Sequence, residues 1–431
     1  MSTAAGIILG GIVAAALAAL RWPLVGLLAY LWMDCMRPHD MYPELRSVRP
    51  MMVVGAVTLA VTLRREGWRG LQAWRALCPV AALAAAVAAS TAISVAPLRS
   101  VAVLADVLKM LALVWLFERL VHSEASVRVV LWVIGLSCAV LALGAIDAAR
   151  AHDLWRGFSA ERVIEGPAGL GDGALRDNND LARMLVLSVP LWWALAALRA
   201  APWTRWLAAA ALLVSIAGIE STFSRGAFLA LLVGTAVVAL SYRPLWRGAA
   251  LWLAFVAAVL ACSPRAYLAR LETILHASTD HSFQGRVGVW EDAWRMVQQR
   301  PLLGQGPGTF CIDENGQPHA RRAAHNIVVE VAAEIGLIGL AAYGWLWFET
   351  LRRLARLRRV AARAGRIATA AVGIEGALLA YLTASMALNG AFRSPLFMLI
   401  GLSLALERCV DERFATPQPE AEVNRPDLFQ T

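Results

Sequence analysis

Apolar runs recur along this chain from one end to the other, at 4–20, 22–36, 50–63, 77–96, 100–117, 126–146, 180–199, 206–219, 226–241, 248–262, 326–349, 367–388 and 395–406. A soluble core has no use for so many; a helix crossing a bilayer needs roughly 20 mostly apolar residues. Hydrophobic residues make up 59% of the 431 positions and charged residues 16%. The pattern therefore predicts an all-α integral membrane protein. Several runs are short, so about 12 to 13 transmembrane helices are expected, some of them tilted or partial. They form one polytopic membrane domain, 1–410, followed by a polar, disordered cytoplasmic tail at 411–431. Residues 1–20 lack a positive segment ahead of the apolar run, which reads as a first helix and not a cleaved signal.

Charge sets the orientation. Arg352, Arg353, Arg356, Arg358, Arg359, Arg363 and Arg366 form a basic stretch with no acid among them, and short loops rich in arginine stay cytoplasmic. Alternation then puts 243–247, 199–205, 118–128 and 64–75 on the same side. It places 37–50, 147–176, the turn 223–226 and the long segment 263–325 outside. The net charge of +9 is thereby explained by topology, and no nucleic-acid partner is expected. Six scattered cysteines without CxxC spacing suggest neither a disulfide framework nor a zinc site.

The segment 263–325 is far longer than a connection requires, which points to function. Within it, Val287, Trp290, Trp294 and Val297 recur at helical spacing, predicting an amphipathic helix from Arg286 to Arg300 that lies on the membrane surface or roofs a cavity. The glycine-rich stretch 302–310 lacks the Lys-Ser/Thr ending of a phosphate loop and reads as backbone geometry only.

Arginines on the outer side run against the positive-inside bias and need another reason to be there. Arg225 sits in a tight turn between two apolar runs. Its planar fork suits phosphate oxygens, and the alternatives are a pair with Glu220 or snorkelling to lipid phosphate. Arg286 is expected at the start of the amphipathic helix, where the helix dipole also favours an anion; a solvated helix-end arginine is the alternative. Arg176 is a third candidate, with acids close enough for a local ion pair. His325 opens a transmembrane helix at the outer surface, with a side chain whose pKa suits general-base work. Asn326, Glu330 and Glu334 follow it at four-residue spacing on one face. Trp290 joins Arg176, Asn326, Glu330 and Glu334 as candidate substrate-binding residues; His325, Arg286 and Arg225 are the candidate catalytic ones. Asp106 and Lys109, three apart in one run, are expected to pair, since either charge alone would be costly there. The chain has no DxD triplet and no HExxH helix, so a metal-free mechanism without cofactor is expected.

Taken together, Ser224-Arg225-Gly226, Gly285-Arg286 through Trp290, Arg300-Pro301-Leu302-Leu303-Gly304-Gln305-Gly306 and Ala324-His325-Asn326 leading to Glu334-Ile335-Gly336 resemble the O-antigen ligase and polymerase superfamily. Trp22-Pro23-Leu24-Val25-Gly26, Met36-Arg37-Pro38-His39 and Asp177-Asn178-Asn179-Asp180 are similar to its exosortase-associated O-glycosylation ligase branch. The resemblance implies a GT-C-like glycosyltransferase of the bacterial inner membrane with its active site facing the periplasm. Its donor would be a glycan on undecaprenyl diphosphate and its acceptor a hydroxyl, with lipid A-core sugar as first choice. The resemblance assigns the diphosphate to Arg225 and Arg286 and the acceptor hydroxyl to His325. A polymerase, a protein O-glycosylation ligase and, from another class, a lipid-linked glycan flippase or transporter remain alternatives. A flippase should expose polar sites to both faces at mid-membrane, whereas this chain concentrates its candidates on one.

Overall fold

A computed structural model describes residues 2–67, 74–151, 177–197, 202–274, 281–310, 324–360 and 366–415. In chain order the helices are α1 (Thr3–Arg21), α2 (Pro23–Met36), α3 (Pro38–Met41), α4 (Pro50–Glu66), α5 (Trp74–Ala92), α6 (Pro97–Leu120), α7 (Glu124–Ala151), α8 (Asn178–Ala197), α9 (Pro202–Ser221), α10 (Arg225–Leu240), α11 (Leu245–Cys262), α12 (Arg265–Glu272), α13 (His281–Gln299), α14 (Ile327–Val360), α15 (Arg366–Ser385) and α16 (Ser394–Ala415). The protein is an all-α integral membrane protein, and no strand occurs among the described residues. Each apolar run of the sequence falls on a separate helix. Eight of these helices, α1, α6, α7, α8, α9, α11, α14 and α15, are long and apolar enough to cross a membrane, with α2, α5 and α10 shorter but apolar.

Prolines open several helices at their first turn, among them α2, α4 and α6, where the missing N–H costs nothing and the fixed φ is already helical. The core is built where α8, α10 and α15 meet, and there close approach requires small residues. A Cβ on Gly234 of α10 would lie 2.8 Å from Ala380 of α15, and one on Gly373 of α15 would lie 2.5 Å from Ala194 of α8. Without a hydrophobic force between helices in lipid, such tight backbone packing is what holds them together. By contrast α11 leaves Leu251 and Leu253 about three-fifths exposed (58% and 61%), a face suited to lipid.

Two expectations change in detail, and a third holds. The basic stretch is helix and not loop over 352–360, since α14 runs to Val360, and residues 361–365 lie outside the described residues. Its arginines find acids on other helices: Arg353 Nε donates to Glu407 at 2.7 Å, Arg356 pairs with the same carboxylate, and Arg358 lies 3.3 Å from Glu375. The boundary expected at 410 is crossed by α16, which continues to Ala415. Asp106 and Lys109 do pair, at 2.7 Å.

The sharpest local feature is a break inside α14. Gly336 has φ 68 and ψ −171, a conformation open to glycine and barred to residues with a Cβ. The backbone groups freed there are taken up by the glycine-rich stretch. Leu337 N donates to Pro301 O at 2.8 Å and Ile338 N to Leu302 O at 3.2 Å, while Gln305 N and Gly306 N donate back to Ala333 O (3.1 Å) and Glu334 O (2.8 Å). Irregular backbone is tolerated in a membrane protein only where the surrounding chain satisfies it in this way. The same stretch is tied to the turn between α5 and α6, through Val95 N to Gln305 O at 3.0 Å and Ser100 Oγ to Pro307 O at 2.8 Å. The expectation of pure backbone geometry at 302–310 fits this role.

Candidate functional site

His325 lies between Ala324 and the first turn of α14. Its backbone is left-handed, with φ 45, and its N–H donates to Asn389 Oδ1 at 2.5 Å in the connection between α15 and α16. Asn326 caps the helix, accepting from Val328 N at 2.9 Å and Val329 N at 3.2 Å, as an Asx side chain does at an N-terminus. The imidazole is half-buried and its pKa lies below the ordinary histidine value, first because burial penalises the cation and then because the Arg286 charge opposes it; Asp177 and Asp180 act in the other sense. His325, Arg286 and the start of α8 are therefore within electrostatic reach of one another.

Arg286 reaches this place by a route the sequence did not suggest. The helix starts at His281, so Arg286 stands more than a turn inside α13 and not at its positive end. One glycine at 285 costs a helix only about 1 kcal/mol and does not start it. The helix dipole therefore gives Arg286 no special attraction for an anion, whereas its charge does act on His325. The buried face of α13 also differs from the expected stripe. Val289, Ala293, Met296 and Val297 pack with Phe310, Ala324, Val329 and Ala333, whereas Trp294 is 62% exposed. Trp290 fastens the helix to the site by donating from Nε1 to Ala324 O at 2.8 Å, one residue before His325.

Arg225 is the first residue of α10. Ser224 caps that helix on Ala227 N and donates its own Oγ proton to Asn179 Oδ1 at 2.8 Å, joining the turn to the start of α8. Arg225 Nη1 donates to Thr273 Oγ1 at 2.9 Å at the end of α12, and Glu220, weighed as its partner, accepts from Ser263 Oγ at 2.8 Å. The start of α8 thus touches the Arg225 turn through Asn179 and faces His325 through Asp177 and Asp180. Arg176, one residue earlier, lies outside the described residues.

The two glutamates of α14 part company. Both oxygens of Glu334 accept backbone N–H groups, from Gly308 at 2.8 Å and Phe310 at 3.1 Å, so this carboxylate holds the glycine-rich stretch. Glu330 accepts from Gly390 N at 2.8 Å, next to the asparagine that holds His325.

Arg183 and Asp180 were missed. Arg183, 4% exposed, donates from Nη2 to Asp180 at 2.5 Å and from Nη1 to Asn389 O at 2.8 Å, and its guanidinium lies 5.3 Å from the centre of the Tyr381 ring. Asn389 is thereby gripped on its carbonyl by Arg183 while its side chain grips His325. An arginine inside an apolar run is itself a functional signal, and Arg183 in 180–199 carried it. Its partners come from α15 and the connection to α16, which a single sequence does not place beside it. Removing one partner of a buried ion pair costs about 3–5 kcal/mol, so Arg183→Ala should lower the melting temperature of the detergent-solubilised protein sharply. Arg183→Ala/Asp180→Ala should recover part of that loss; a double variant no more stable than the single would dismiss the pair.

Residues 210–344 match the family model described as O-antigen ligase, and a comparison with curated proteins returns no match. The matched stretch includes Arg225, Arg286, Trp290, His325, Asn326, Glu330 and Glu334, and it leaves Asp180, Arg183 and Asn389 outside. It supports placement in the O-antigen ligase superfamily and, in general terms, a membrane glycosyltransferase of the ligase or polymerase type.

Proposed function

Starting from that ligase domain, we propose that the chain transfers a glycan from undecaprenyl diphosphate to an acceptor hydroxyl, with lipid A-core sugar as first choice, on the periplasmic face of the bacterial inner membrane. The observation that carries the reading is the meeting of a half-buried histidine, held by its backbone to Asn389, with the charge of Arg286, beside the α8 start to which the Arg225 turn is bonded.

The chemistry needs little else. A lipid diphosphate is already a good leaving group, and the transition state gathers negative charge on it as the glycosidic bond breaks. Preorganised cations lower that barrier, the part assigned to Arg225 and Arg286. The acceptor hydroxyl has to lose its proton as it attacks, and a neutral imidazole takes it. Burial and Arg286 both keep His325 neutral at ordinary pH, which readies it to accept. Attack opposite the diphosphate inverts the anomeric centre. Asp177 and Asp180 favour the imidazolium once formed, so the proton is stabilised after it arrives. The membrane domain at 1–410 then serves as scaffold, with the donor lipid reaching the site from the bilayer.

The test is an assay of membranes containing the protein for donor consumption and product. Arg286→Ala should lower transfer by about 10²–10³-fold, the usual cost of losing one preorganised charge-stabilising donor, and full activity would remove it from the mechanism. Arg225→Lys should keep no more than about a tenth of the activity, because a point charge cannot replace the bidentate fork; equal rates would show that charge alone suffices there. Product identity separates the acceptors: a laddered glycan on the lipid carrier marks a polymerase, whereas label on lipid A-core or on a protein marks a ligase. Labelled donor crossing liposomes with no transfer product would mark a flippase.

A further inference from the structure

Beside the Asp180–Arg183 pair, α2, α4, α6 and the residues before α16 enclose a cavity of about 930 Å³. It shares Asp34, Arg37, Arg393 and Ser394 with a small polar cleft that Asp180 and Arg183 also line. Gly390, which donates to Glu330, is a further wall residue that it has in common with the candidate site.

The lining divides by chemistry. One part is cationic, with Arg37, Arg46, Arg49 and Arg393, and another is apolar, with Leu59, Val103, Leu113 and Leu116. Arg46 is held in place by the carbonyls of His39 and Asp40, at 3.2 and 3.5 Å. Arg49 makes no side-chain hydrogen bond or ion pair among the described residues. Two wall residues each carry a buried polar atom with no hydrogen-bond partner among the described residues, Asp34 Oδ2 and His39 Nδ1, while Asp40 Oδ2 is engaged only by its ion pair with Arg37 at 3.5 Å. Orphaned polar atoms of this kind are few in native proteins and call for an explanation.

One ligand answers all three features. Guanidinium forks match phosphate oxygens, the orphaned acceptors match hydroxyl donors, and a long apolar wall matches a hydrocarbon chain. The volume falls within the usual range for ligand pockets. We propose that this cavity binds a phosphate-bearing glycolipid as the second substrate, with its phosphate at Arg37, Arg46 and Arg49, its hydroxyls at Asp34, His39 and Asp40, and its chains along the apolar wall. The role of second substrate rests on the transferase reading above. Position supports it: Gly390 and Arg393 line the cavity, and Asn389, the neighbour of Gly390, holds His325.

Binding without turnover tests this. Full-length protein in phosphatidylcholine nanodiscs is titrated with lipid A bearing both phosphates, with the same lipid after phosphatase treatment, with undecaprenyl diphosphate and with phosphatidylglycerol. Arg46→Gln/Arg49→Gln should bind lipid A at least about tenfold more weakly, a change of roughly one decade in Kd, and leave undecaprenyl diphosphate unaffected. Phosphatase treatment should cause the same loss in the wild type. Ala112→Trp, which fills the cavity wall and keeps every charge, should also weaken lipid A, so the outcome does not hang on one variant's folding. Equal binding by all proteins would overturn the proposal. So would a loss confined to undecaprenyl diphosphate, which makes the cavity the donor's, or phosphatidylglycerol competing as well as lipid A, which makes it a bulk-lipid groove. The transferase reading fails separately: wild-type protein that binds lipid A yet forms no product from a lipid-linked glycan and lipid A-core would overturn that reading and leave the cavity's ligand standing.

Discussion

Replacing His325 with alanine is expected to lower glycan transfer by about 10²–10⁴-fold, the usual contribution of a positioned general base, while donor binding is retained. The pH profile gives a second, independent reading. Only the neutral imidazole can accept the acceptor's proton, and burial together with Arg286 holds the His325 pKa below the ordinary 6.5. Activity should therefore be level through neutral pH and fall as pH drops through that lowered pKa. In Arg286→Gln one of the two causes is removed, so the acid limb of the residual activity should move upward. An acid limb that stays put in Arg286→Gln, or that lies above 6.5 in the wild type, would separate His325 from the proton transfer even if His325→Ala were inactive.

The second large effect concerns the break in α14. A Cβ at Gly336 would stand 2.3 Å from Leu302 O, and one at Gly304 2.3 Å from Glu334 O, with both residues at φ +68. A sparsely populated positive-φ conformation costs an L-residue about 1–3 kcal/mol, and overpacking adds roughly 1–3 kcal/mol. Gly336→Ala and Gly304→Ala should each destabilise the protein by about 2–6 kcal/mol on those figures. The obstructing atoms are backbone and cannot swing aside. Thermal melting in detergent would show this, whereas Gly344→Ala, which meets nothing within 4 Å in the same helix, should melt like the wild type. Melting curves that coincide for Gly336→Ala and Gly344→Ala would mean that the break is not a fixed part of the fold. Activity should fall with stability in Gly336→Ala, because the stretch 301–306 that follows α13 is hung on this break.

Much of the architecture was legible because bilayer crossing is a local property. A run of apolar residues long enough to span has to be helical whatever its neighbours are, so 126–146 announces α7 and 226–241 announces α10 without tertiary information. Short glycine and proline signals were legible for the same reason: Pro301 ends α13, and the glycines at 304, 306 and 308 mark positive φ, at 68, 118 and 78. The basic stretch expected as a loop is helical over 352–360, where Arg353 and Arg358 pair with acids of α16 and α15.

The site was legible only in part. His325 and Arg225 stand out in the sequence because each is a polar residue at a helix start, and Arg286 because it lies in a segment too long for a simple connection; their part in the reaction is the proposal made above. The helix expected to start at Arg286 starts at His281, since local propensities are weak and tertiary context overrides them. Glu334 shared a helix face with Glu330, yet the two carboxylates serve different partners, because the break at Gly336 brings the glycine-rich stretch over one of them. Arg183, Asn389 and Arg393 escaped notice altogether. Their importance comes from α8, α15 and the α15–α16 connection meeting at one point, a contact between residues some two hundred positions apart.

The sequence by itself determined the solvent in which this protein folds, the helices it forms there and the residue types available at the helix ends. Lipid enforces backbone pairing within each helix, so those features follow from short stretches read one at a time. The tertiary structure alone decided which ends meet: that Asn389 holds His325, that Arg183 pairs with Asp180, and that four arginines line one cavity with an apolar wall. Those outcomes depend on how closely helices approach, which small residues such as Gly234 and Gly373 set, and close approach is a property of pairs of helices that no single run contains.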